Sequence, residues 1–139
     1  DNLFLINMER GRDSGDRALV ALAATLQRSA RPGDTVARLG GDQFVLLLPG
    51  TSLVTATQFA WSIRSLVGRA HDVHPDIATM DVCIGVAARP DHAAWRARDL
   101  LALADQRLNS AKRSRHRLGP AQQVWAGPPD LPDEDADDD

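Results

Sequence analysis

The sequence predicts an α+β fold, an antiparallel-containing sheet flanked by helices, and three observations predict it. Apolar residues recur at helical spacing in three stretches, they alternate with polar residues in another, and a glycine pair joins two short apolar runs. With 139 residues and 43% hydrophobic content, the chain is long and apolar enough to bury the core of one soluble domain.

Residues 3–6 are a short apolar run that predicts a strand, and Gly11, Asp13, Ser14 and Gly15 predict a turn after it. From Asp16, residues Leu19, Leu22, Ala23, Leu26 and Ala30 recur at helical spacing, with Asp16 placed to cap or charge the start. Pro32-Gly33 ends that helix. Residues 35–39 and 43–48 read as two strands around Gly40-Gly41, a pair that tolerates positive φ, so the whole predicts a hairpin. Pro49-Gly50 breaks the second strand. Thr51 or Ser52 then caps a helix that carries Ala56, Phe59, Ala60, Ile63 and Val67 on one face and stops near Gly68. Residues 71–78 lack periodicity, whereas Met80, Val82, Ile84 and Val86 alternate with Asp81, Cys83 and Gly85 as in a half-buried strand. The last helix, over about 97–115, places Leu101, Ala104, Leu108 and Ala111 on one face, and the pattern ends after Gly119-Pro120. The order strand, helix, hairpin, helix, strand, helix is akin to a split βαβ arrangement. Residues 1–118 form the expected domain and 119–139 an extension, acidic and disordered from about 127.

Charge is unevenly spread. Seven of the nineteen acids lie in the last ten residues, and without them sixteen basic residues face twelve acidic ones, a body of +4. Such a body suits phosphate ligands or an ordinary solvated surface. Lys112 is the only lysine. No apolar run reaches the ~18 residues of a membrane span and no signal-peptide pattern opens the chain, which predicts a cytoplasmic segment with no membrane contact. Cys83 is alone, so no internal disulfide forms. His71 and His74 lack the neighbouring ligands of a zinc site, and Trp61, Trp95 and Trp125 lack the basic interleaving of a nucleic-acid platform. Asp1 opens the chain within a strand-like run, which predicts an upstream sensor or regulatory domain.

Two motifs bear on chemistry. Asp42, on a glycine turn between strands, is either ordinary hairpin chemistry or a carboxylate placed for a metal ion where glycines let phosphate approach. Arg31-Pro32-Gly33-Asp34 has the form RxxD. Either the arginine fork and the carboxylate grip a guanine or phosphate, or the segment is a helix end and turn with no ligand.

Arg38-Leu39-Gly40-Gly41-Asp42-Gln43-Phe44 resembles the signature of GGDEF domains, the nucleotide-binding module of bacterial diguanylate cyclases. Three other blocks extend the resemblance over about residues 1–118: Ile6-Asn7 with Gly11 and Gly15-Asp16; Cys83-Ile84-Gly85-Val86; and Ala104-Asp105 with Ala111-Lys112. The resemblance implies a nucleotide-cyclase, ferredoxin-like fold. It also implies a homodimer in which each copy holds one GTP and each 3′-hydroxyl attacks the other nucleotide's α-phosphate, giving cyclic di-GMP and pyrophosphate. By the same resemblance Asp42 and Gln43 are the catalytic positions, and Asp42 is the ligand of Mg²⁺ or Mn²⁺. Asn7 and Asp16 would hold guanine, Gly40 and Gly41 would admit the phosphates, and Lys112 and Arg115 would bind them. Arg31 and Asp34 would form an inhibitory site for the product, cyclic di-GMP.

The chain departs from the family pattern at several places. Gln43 stands where the signature has glutamate, and a neutral amide binds cations far less well than a carboxylate. Phe4 replaces a lysine, Arg12 a histidine, Asn109 a tyrosine, and Arg115-His116 a Gly-Arg pair. The family's other metal carboxylate falls before Asp1. These departures keep open a second expectation, a degenerate domain that binds GTP or cyclic di-GMP as a receptor or regulatory dimerisation module.

Overall fold

The computed structural model describes residues 12–69, 82–89, 94–118 and 124–125. The strand expected over 3–6, Asn7, His71, His74 and the acidic end from 127 lie outside the described residues. The chain divides into two compact units, Asp1–Val82 and Cys83–Asp139.

The first unit runs helix α1 (Arg12–Ser29), strand β1 (Thr35–Gly40), strand β2 (Gln43–Leu47) and helix α2 (Leu53–Arg69). Helix α1 begins earlier than the sequence predicts. Residues 12–15 are helical rather than a turn, so Asp16 is the fifth helical residue, exposed, and does not cap. Gly15 is helical and buried there despite its low helix propensity. Ala18, Leu19, Leu22 and Leu26 bury one stripe of α1, each leucine worth about 1.5–3 kcal/mol of transfer free energy. Thr25 and Ser29 satisfy their hydroxyls on the carbonyls of Ala21 and Thr25, at 2.9 and 2.8 Å.

Arg31-Pro32-Gly33-Asp34 turns the chain out of α1. Asp34 N–H donates to the Arg31 carbonyl at 3.0 Å, with proline second and Gly33 third at φ 91°, the pattern of a type II turn. Strands β1 and β2 pair antiparallel, from Thr35 opposite Leu47 to Arg38 opposite Phe44. The register then shifts, so that Gly40 faces Gln43 and Leu39 is the extra residue of a bulge. Ser52 caps α2, its Oγ accepting from Thr55 N–H at 3.2 Å. Ala56, Ala60, Ile63 and Val67 are buried along α2, the face expected, and α1 and α2 pack together.

In the second unit, strand β3 (Ile84–Gly85) pairs parallel with strand β4 (Val124–Trp125), and helix α3 (Ala97–Leu118) packs on both. Strand β4 corrects the expectation that pattern ends after Gly119-Pro120. A two-residue strand has no periodicity to read, because its partner lies about forty residues upstream. The Asp99 carboxylate accepts from Arg96 N–H at 2.8 Å and closes the start of α3. Ala111 is fully buried as expected, but Leu101 is exposed. The close approach of β3 falls at Ala104 and Leu108, beyond Leu101, where a Cβ on Gly85 would collide with the Ala104 carbonyl oxygen and the Leu108 amide. No described helix is long and apolar enough to cross a membrane. The architecture is α+β, as the sequence predicts.

Candidate functional site

Chain continuity and the hairpin bring Gly40, Gly41, Asp42 and Gln43 onto one exposed turn. Gly40 has φ 144° and Gly41 φ 52°, and nothing lies within 4 Å of where a side chain on either would begin. Glycine adopts such torsions without steric penalty, and the space it leaves admits an oxygen-rich ligand close to the backbone. Sequence reasoning missed how the turn is held. Arg38 donates from Nε and Nη2 to the Gly41 carbonyl, at 3.0 and 2.6 Å, although it stands only as a flank of the signature. The arginine and the glycine pair three residues on were the available signal.

At the other end of the hairpin, Arg31 and Asp34 are brought together. The Asp34 carboxylate accepts from Arg31 N–H at 2.8 Å and from its Nε at 3.3 Å, while Arg31 Nη2 donates to Thr51 Oγ1 at 2.7 Å. Asp34 is nearly enclosed, with 4% of its side chain exposed against 54% for Arg31. The carboxylate thus serves the turn, and the guanidinium is held facing solvent between the chain entering β1 and the chain leaving β2.

The remaining predicted residues lie on other elements. Asp16 lies exposed on the second turn of α1, and Asn7 is outside the described residues. Lys112 and Arg115 lie about one turn apart and half-buried on α3, in the second unit. Among the described residues, no three His, Cys, Asp or Glu side chains converge as a metal cage would require. The described residues therefore offer Asp42 as a single carboxylate with a neutral amide beside it, which does not make a divalent-cation site on its own. Elsewhere on α3, Arg107 Nη1 donates to the Val86 carbonyl at 2.7 Å, and burial lowers its pKa from the ordinary arginine value. Its Nε is buried with no hydrogen-bond partner among the described residues.

The family model described as diguanylate cyclase, GGDEF domain, matches residues 1–117. Diguanylate cyclase DgcM of Escherichia coli K12 is 45% identical over 87 residues, covering 63% of this chain and 21% of that protein. YhcK of Bacillus subtilis strain 168 is 36% identical over 114 residues, covering 81% of this chain and 32% of that protein. The chain thus spans about a fifth to a third of these relatives' length. Among solved structures, the active GGEEF domain of a diguanylate cyclase from Vibrio cholerae superposes with a TM-score of 0.77 at 29% identity, covering 91% of this chain and 76% of that one. The GGDEF domain of DgcB from Caulobacter crescentus, solved with cyclic di-GMP, superposes at 0.76 over 91% of this chain and 72% of that one; at 24% identity it supports the fold alone. With its signature turn on a hairpin, a match over most of its length and the same α+β fold, the chain belongs to the GGDEF family of diguanylate cyclase domains.

Proposed function

We propose that this domain binds GTP at the Gly40–Gly41–Asp42 turn and, paired with a second copy, joins two GTP into cyclic di-GMP. The observation that carries the reading is the turn itself, two positive-φ glycines that leave the backbone beside Asp42 open to a phosphate. Family membership supports the substrate class. In this reading Asp16 and Asn7 hydrogen-bond the guanine, and Lys112 and Arg115 neutralise phosphate charge. Each 3′-hydroxyl forms a bond to the α-phosphorus of the other nucleotide, pyrophosphate leaves, and the hydroxyl proton passes to solvent. In such cyclases Mg²⁺ or Mn²⁺ supplies charge neutralisation. The described residues do not form its cage.

A second reading is a receptor that binds GTP or cyclic di-GMP without turnover, and Gln43 favours it, as an amide replaces a carboxylate beside Asp42. The exposed guanidinium of Arg31, already oriented by Asp34 and Thr51, would be its product contact. Incubation with GTP and Mg²⁺ or Mn²⁺, followed by chromatography and calorimetry, separates the two. Cyclic di-GMP formation that falls to background in Asp42→Ala is the expected result. Binding of cyclic di-GMP without product, lost in Arg31→Ala, makes the domain a receptor, and neither binding nor turnover rejects both readings.

A further inference from the structure

The turn that carries Asp42 is built from the residue type least able to hold a conformation by itself. Gly40 and Gly41 have no neighbouring atoms where a side chain would begin, so neither packing against a glycine side chain nor glycine's own torsional preference favours this conformation. Arg38 supplies a constraint from outside the turn. Its planar fork donates twice to one oxygen, the Gly41 carbonyl, and two bonds from a rigid donor pair fix a direction as well as a distance. The bulge at Leu39 adds a residue to β1 between Arg38 and the turn while leaving Arg38 paired opposite Phe44.

The Gly41 carbonyl and the Asp42 N–H lie on opposite edges of one planar trans peptide. Holding one edge therefore holds the other, and with it the direction of the Asp42 N–H. We propose that Arg38 is a positioning residue of the nucleotide site: it clamps the Gly41 carbonyl and thereby aims the Asp42 N–H, on the other edge of the same peptide, at the phosphates of a bound nucleotide. Arg38 acts through Gly41 and not by touching the ligand. The clamp itself stands on the hydrogen bonds above, whereas its consequence for phosphate binding rests on the function proposed in the preceding section.

Two variants of the full 139-residue chain test it. Arg38→Met keeps the stem and removes the fork; Arg38→Lys keeps the charge but offers a compact ammonium in place of the planar pair. Three quantities are measured: the backbone order parameter at Asp42 by NMR without ligand, GTP affinity by calorimetry, and the thermal midpoint. The order parameter is expected near about 0.85 in the unaltered chain and below about 0.6 in both variants. GTP affinity is expected to fall about tenfold in both, with the midpoint little changed, because Arg38 is exposed and its two hydrogen bonds are lost only at the turn. A rigid turn in Arg38→Met, a turn already loose in the unaltered chain, or GTP affinity fully kept by Arg38→Lys overturns the proposal. If the unaltered chain binds no GTP, the nucleotide reading fails, and the clamp is decided by the order parameters alone.

Discussion

Gly40 and Gly41 stand in open space at torsions that side chains avoid, whereas Gly85 stands at an ordinary φ with a helix backbone where its side chain would be. All three belong to blocks that carry the family resemblance, and sequence alone gives them the same letter. In the hairpin, glycine is required by the shape of its own backbone. In β3 it is required by a neighbour, since a Cβ would meet the Ala104 carbonyl and the Leu108 amide, atoms of α3 that cannot swing aside as a side chain can. A site built on the first kind is adjustable by small changes in torsion. A contact built on the second kind is fixed by the volume of the rest of the unit.

The largest effect should come from Gly85→Ala. Overpacking against backbone should cost about 3 kcal/mol, lowering the thermal midpoint by roughly 10 °C in a circular dichroism melt. An unchanged midpoint would erase the distinction between the two glycine classes. Gly40→Ala should cost less, about 2 kcal/mol, because a φ of 144° belongs to a region that is nearly glycine-only while the space around it is free. The smallest effect should be that of Gly41→Asn. A φ of 52° is one that asparagine accepts, so chemical denaturation should shift stability by less than about 1 kcal/mol. GTP affinity, by contrast, should fall about tenfold as the new side chain occupies the approach to the backbone. A Gly41→Asn protein that binds GTP like the original would place the nucleotide elsewhere.

What was legible in the sequence follows the same division. The hairpin, its glycine turn and the buried stripe of α2 were readable because each is written in adjacent residues: two apolar runs around Gly40-Gly41, and Ala56, Ala60, Ile63 and Val67 at helical spacing. The true start of α1 was not readable. Gly15 and Ser14 suit a turn by local preference, and only burial of Gly15 within the fold favours helix. Strand β4 was invisible for a related reason, since Val124-Trp125 becomes a strand through pairing with Ile84-Gly85 and not by any pattern of its own. Within the candidate site, the place of Asp42 on the glycine turn was legible, while the hydrogen bonds from Arg38 to the Gly41 carbonyl were not. Arg31 and Asp34 were legible as a motif, but not the enclosure of the carboxylate or the link to Thr51.

Strand β4 also has a practical meaning for anyone who trims this protein. The family match ends at residue 117, one short of the last residue of α3, yet the ladder that β3 joins is completed at Val124 and Trp125. A fragment cut where the alignment stops would keep every signature residue and still expose the edge of β3, an invitation to pair with another molecule. The second unit extends past the end of the family-model match.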